Sequence, residues 1–202
     1  MTTPARGYFR AAPKVSPYER VRDFARVQVR AGLLNDDALL AEVVSVVAAD
    51  LPAEDPTTAA AAILGLVRAE LLAEERAWRS PTDHERLLAA FSALEQERVI
   101  VLQAVEDHWV ANAELRRRAA AGEATVGVVW FTAPDVWHAV DHGMLELNVW
   151  HPDTANVAPG EPLLDLVVST LAAHGVAGHF DEGRVEVAAH WQRPLQPPQR
   201  HR

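Results

Sequence analysis

The stretch VGVVWFTAPDVWHAVDHGMLELNVW, residues 126–150, is where the reading of the fold is decided, and it holds three of the six tryptophans. Val126 to Phe131 is apolar at successive positions, as in a strand covered on both faces. Thr132-Ala133-Pro134-Asp135 supplies a helix start with proline in the first turn, and Gly143 supplies a left-handed stop. Met144 to Trp150 then alternates, with Leu145, Leu147 and Val149 on one side and Glu146 and Asn148 on the other. That pattern predicts a half-exposed strand near a sheet edge. The unit reads strand, short helix, strand.

Downstream, Pro162 opens a helix with Leu163, Leu164, Val167 and Leu171 inward, ended by Gly175. Two short runs around Asp181-Glu182-Gly183 predict a hairpin, with Val185, Val187, Ala189 and Trp191 sharing a face. Upstream, Thr82-Asp83-His84-Glu85 is a capping box for a helix built on Leu87, Leu88, Phe91 and Leu94. Val99 to Leu102 is apolar on both faces, which predicts a central strand, and a helix follows over 107–121. Helices and strands therefore alternate from residue 82 onward. This order predicts an α+β or α/β fold with a mainly parallel mixed sheet, flanking helices and a C-terminal β-hairpin.

Farther upstream the period is helical throughout. Ser16-Pro17-Tyr18-Glu19 is a second capping box whose helix ends at Gly32; Asn35 and Asp55-Pro56 start two more. Short links between three amphipathic helices predict an N-terminal bundle packed on the sheet. The expected division is a flexible tail over 1–15, a helical region over 16–80, an α/β domain over 82–192 and a second flexible tail over 193–202.

The segments TDHERLLAAFSALEQERVIVLQ (82–103), VVWFTAPDVWHAVDHGMLELNVW (128–150) and HWQR (190–193) resemble a family of bacterial proteins of unknown function. VRAGLLNDDALLAEVV (29–44) and LLAEERAW (71–78) are similar to that family's helical N-terminal half, so the resemblance spans about residues 20–193. It implies the fold boundaries and no reaction. Two places depart from the family pattern: the compact AVEDHWVANAELRRRAAAG (104–122), and Asp141-His142-Gly143 where a small, Gly-rich end to the short helix is the rule. A site built on either would be peculiar to this chain.

Composition narrows the function classes. A formal charge of -9 disfavours a general nucleic-acid binder, which needs a cationic surface. The charge is unevenly spread: residues 1–31 are rich in arginine and residues 35–75 in acids, so the two segments are expected to attract each other or simply to face water. Cysteine is absent, which excludes thiol chemistry and disulfides. No apolar run has the length of a membrane span or a leader, so a cytoplasmic location without membrane contact is expected.

His138 and His142 frame Asp141 with the spacing of an inverted zinc-protease motif, Asp replacing Glu. Histidines at i and i+4 share a helix face and can share a metal. However, Asp is one methylene short, and Val136, Trp137 and Val140 form the expected buried stripe. The pair is thereby left on the wet face with Asp135 and Asp141. Candidates for a third ligand are His108, His151 and His190. Arg116, Arg117 and Arg118 form a cation run that would suit an acidic partner or an anion, although last-turn arginines also complement the helix dipole. Trp150 shares its strand face with Glu146 and Asn148 and is the expected exposed anchor for a partner. Phosphate-cradling glycine loops and nucleophile elbows are absent from the sequence, and no cofactor is implied. These features predict a non-catalytic protein that binds another protein in a regulatory or immunity-like role. The alternative is a metal-dependent hydrolase using His138 and His142.

Overall fold

The computed structural model describes residues 15–195; the expected tail over 1–15 lies outside them except for Val15. Each predicted helix start is made as its sequence dictates. For α1 (Pro17–Ala31), the Ser16 hydroxyl accepts from the Glu19 N–H at 3.2 Å, and the Glu19 carboxylate accepts from the Ser16 N–H at 2.8 Å. Asn35 and Asp55 accept from the third residue of α2 (Asp36–Asp50) and α3 (Pro56–Glu75), each at 2.9 Å. These three helices close on their own core around Val21, Val43, Val47, Ile63, Val67 and Leu71. By length and composition, α3 would pass as a membrane span; here its apolar stripe packs on α1 and α2.

Charge reinforces that packing. Arg20 reaches Asp50 at 3.1 Å, Arg22 reaches Glu70 at 2.6 Å and Arg30 reaches Glu74 at 2.5 Å. The basic and acidic segments do meet. All three pairs are partly solvated, so each adds little to stability.

The second half comprises α4 (Asp83–Gln96), β1 (Val99–Val105), α5 (His108–Ala120), β2 (Gly127–Thr132), α6 (Ala133–His142), β3 (Met144–Trp150), α7 (Pro162–Ala173), β4 (Ala177–Asp181) and β5 (Arg184–Ala188). The five strands form one mixed sheet in the order β1-β2-β3-β5-β4, and the fold is α+β. One pair, β1 with β2, is parallel; the other three are antiparallel. The expectation of a mainly parallel sheet is thus corrected, and the reason is the β2–β3 connection. It consists of α6 and Gly143 alone. A helix of this length spans about 15 Å, whereas returning along a strand as long as β2 takes about 20 Å plus two turns. The chain therefore folds back, setting Val128 opposite Trp150 and Trp130 opposite Asn148.

Two strand positions also differ from expectation. β1 is an edge strand although apolar on both faces, because α5 covers Ile100 while Val99 joins the core beneath the other helices. β3 is the central strand although it alternates. Its Leu145, Leu147 and Val149 are buried in the helix-covered core, while on the opposite face only Trp150, at the end of β3, packs at the edge of α5. The hairpin forms as predicted, with Glu182 at φ 42° and Gly183 at φ 92°, the paired positive values of a primed two-residue turn.

Beyond β5 the chain becomes a strap that ties helix ends together. The Ala189 N–H donates to the Gly143 carbonyl at 2.9 Å, and the His190 N–H donates to the Asp83 carboxylate at 3.1 Å. The Trp191 indole N–H donates to the carbonyl of Ala31, the last residue of α1, at 3.1 Å. Arg193 lies over Gly32, so close that a Cβ there would sit 1.9 Å from its Nη1. The Leu195 N–H donates to the Glu75 carboxylate at 2.7 Å. Residues 193–195, expected at the start of a loose tail, are therefore held against the bundle; the rest of that tail lies outside the described residues.

Trp191 is 7% exposed and meets the His84 ring edge-on at 4.7 Å. Burial, and secondarily the Arg193 charge, lowers the His84 pKa to about 4. Truncating Trp191 to Ala should cost about 3–5 kcal/mol in a denaturant melt. For His84 the folded pKa lies below the unfolded value, so the unfolded chain takes up the proton first as the solution is acidified. Stability that is full above about pH 6.5 should then fall progressively down to about pH 4, by roughly 3 kcal/mol in all. Chemical denaturation across this window should show that fall in the wild type and a markedly flatter curve in His84→Phe.

Candidate interaction surface

On the sheet face that carries α5, β2 places Trp130 and β3 places Trp150. Their rings meet edge-to-face at 4.9 Å. Trp150 lies 6.5 Å from the His108 ring, and His108 lies 4.6 Å from that of Trp109. Four aromatic rings thus lead from the interior to solvent, since Trp130 is 6% exposed and Trp109 62%. Asp107 fixes the outer end by accepting the Trp109 N–H at 2.8 Å, which starts α5 there. Beneath α5, Ala111 and Leu115 pack with Ile100, Val128 and Trp130.

Trp150, the expected exposed anchor, is instead half-buried inside this run. Exposure lies instead at the far end of the rings, at Trp109, a residue without a motif of its own. A signal for it existed: Ala111 and Leu115 define the buried stripe of α5, and Trp109 stands off that stripe with Val110, itself 39% exposed. The indole N–H of Trp130 is buried with no hydrogen-bond partner among the described residues, as is the Asn112 Oδ1 on α5 above the sheet.

Trp137 was expected in the buried stripe of α6 but is 36% exposed. Val136 and Ala139 are the residues that α6 buries, because the helix rests against α1 as well as the sheet. Trp137 lines a hollow of about 410 Å3 with Phe24, Val27 and the Arg26–Asp141 ion pair, which closes at 2.8 Å.

His138 and His142 do come together, with ring centroids 4.7 Å apart. His138 is half-buried and His142 exposed. Asp141 between them is committed to Arg26. Among the described residues, no group of three or more His, Asp or Glu side chains is placed to hold a metal ion. Of the third-ligand candidates, His108 belongs to the aromatic run and His151 faces Glu161 at 2.8 Å. His190 packs on Gly143, where a Cβ would lie 2.5 Å from its Cε1.

The arginine run is largely neutralised. Arg117 and Arg118 both hydrogen-bond Glu114, at 2.7 and 2.9 Å, and approach Glu123 at 3.6 and 3.4 Å. The bonds from Arg117, then Arg118, hold the Glu114 carboxyl down to about 2. Arg116 stands apart, exposed beside Asn112 and the 152–154 turn. An open three-arginine anion site is therefore not what the helix presents.

A mixed five-stranded sheet with helices on one face, one helix on half of the other and a helical bundle alongside defines an α+β protein. The chain belongs to the domain-of-unknown-function family DUF6891, whose sequence model matches residues 15–195. No curated protein and no solved structure matches the chain. The aromatic geometry predicts that Trp150→Ala costs about 3 kcal/mol or more, and Trp137→Ala about 1 kcal/mol or less. Parallel urea melts should show this order, which reverses the one expected from the alternation of β3.

Proposed function

We propose that this protein is a non-catalytic, cytoplasmic binding module that docks another protein, in a regulatory or immunity-like role, with Trp109 as the anchor. The exposure of Trp109 carries the reading. A tryptophan that is 62% exposed yet held against a neighbouring ring is what a buried interface anchor looks like before its partner arrives. Its indole loses little side-chain freedom on docking, and Val110 extends the apolar contact. The formal charge of -9 favours a protein over a nucleic acid as that partner. The competing hydrolase reading asks His138 and His142 for a third ligand that the described residues do not assemble.

The test is a comparison of wild type and Trp109→Ala, each affinity-tagged and expressed from the native gene, by quantitative mass spectrometry of co-purifying proteins. At least one protein should be retained by the wild type and lost with the variant. The melting temperature should shift by no more than about 2 °C, because an exposed side chain contributes little to folding. Identical sets of co-purifying proteins would refute the assignment.

A further inference from the structure

A hollow of about 510 Å3 lies between the helical bundle and the C-terminal strap, remote in sequence from the Trp109 surface. Its size falls in the range of small-molecule sites, about 300–1,000 Å3. Leu34, Leu39, Leu72 and Leu195 wall it. Gln28 of α1 lines it while only 8% exposed.

The charges lining the hollow do not cancel. Asp36 is taken up by Arg68 at 2.5 Å, whereas Arg193 has no carboxylate partner among the described residues. One acid and two arginines leave a positive spot in a chain whose net charge is -9. The guanidinium is held in place by its seat on Gly32, at φ 60°, where only a residue without a Cβ leaves room for it.

We propose that this hollow is a binding site for a small aliphatic carboxylate. The Arg193 guanidinium grips the carboxylate and the Gln28 amide donates a further hydrogen bond to it. The four leucines enclose the hydrocarbon. Gln28 belongs to α1, whereas Arg193 and Leu195 belong to the strap. An occupant therefore ties the strap to the bundle and stabilises their closed arrangement by mass action.

Isothermal titration of the full chain with 4-methylpentanoate, and with 4-methylpentanamide as the neutral isostere, tests this. The acid should bind with a Kd in the low millimolar range or tighter. The amide should bind at least about tenfold more weakly, the scale of losing charge-assisted hydrogen bonds. Arg193→Gln should show the same loss. Leu72→Trp, which fills the hollow from its exposed rim and leaves every strap residue unchanged, should also abolish binding, so the result stands even if the Arg193 variant loosens the strap. Trp109→Ala should bind like the wild type. Absence of binding heat up to about 10 mM acid, equal affinity for acid and amide, or undiminished binding by Leu72→Trp would overturn the proposal.

Discussion

The hydrogen bond from the Trp191 indole to the Ala31 carbonyl is the constraint on which the arrangement of the two halves depends. The last carbonyls of a helix have no partner within it, and a buried one must find a partner elsewhere. Trp191 supplies that partner to α1, and its backbone N–H lies 3.4 Å from the Ala139 carbonyl in the last turn of α6. The same ring packs against His84 at the start of α4 and Phe131 on β2. Glu75 puts a negative charge at the negative end of α3, an unfavourable placement that the Leu195 N–H offsets by donating to it. A short irregular segment thereby satisfies the ends of several helices at once, and neither the bundle nor the sheet does this alone.

Local chemistry was legible in the sequence to within a residue or two. Ser16 with Glu19, Thr82 with Glu85, and Asn35 and Asp55 each form the caps their side chains announce. Position within the sheet was not legible, and β1 and β3 show why. Apolar periodicity reports how many faces of a strand are covered, and it carries no information about lateral neighbours. β1 is covered on both faces yet has one neighbour; β3 is covered on one face yet has two. The two tryptophans were inverted for a related reason. On a ten-residue helix, Trp137 and Ala139 flank the stripe begun by Val136 from opposite sides, and packing against α1 selected the smaller residue. Trp150 points to the polar face as the alternation requires, but Trp130 and His108 had already made that end of the face aromatic.

The ion pairs between α1 and its neighbours illustrate a division of labour. Arg20, Arg22 and Arg30 meet acids on α2 or α3, and Arg26 crosses to Asp141 on α6. Being partly solvated, they add little to stability. What they select is alignment: sliding α1 by one turn would set several of these arginines against the wrong carboxylates simultaneously. The apolar core of the bundle, rich in Val, Leu and Ala, discriminates less sharply between such slides.

The strap also sets the order in which the molecule yields to force. The contact between Trp191 and Ala31 joins residues 160 positions apart, whereas the bundle and the hairpin are built from near neighbours in sequence. Tension applied at Leu195 loads Glu75 first, then Gly32 through Arg193, then the Trp191 ring, before any strand of the sheet bears it. A machine threading the chain from that end would strip the strap from the bundle first, leaving the contact of α1 with α6 and its Arg26–Asp141 pair to yield later. The protein is therefore mechanically polar: soft at one end, and cooperative only after the first few residues have been peeled away.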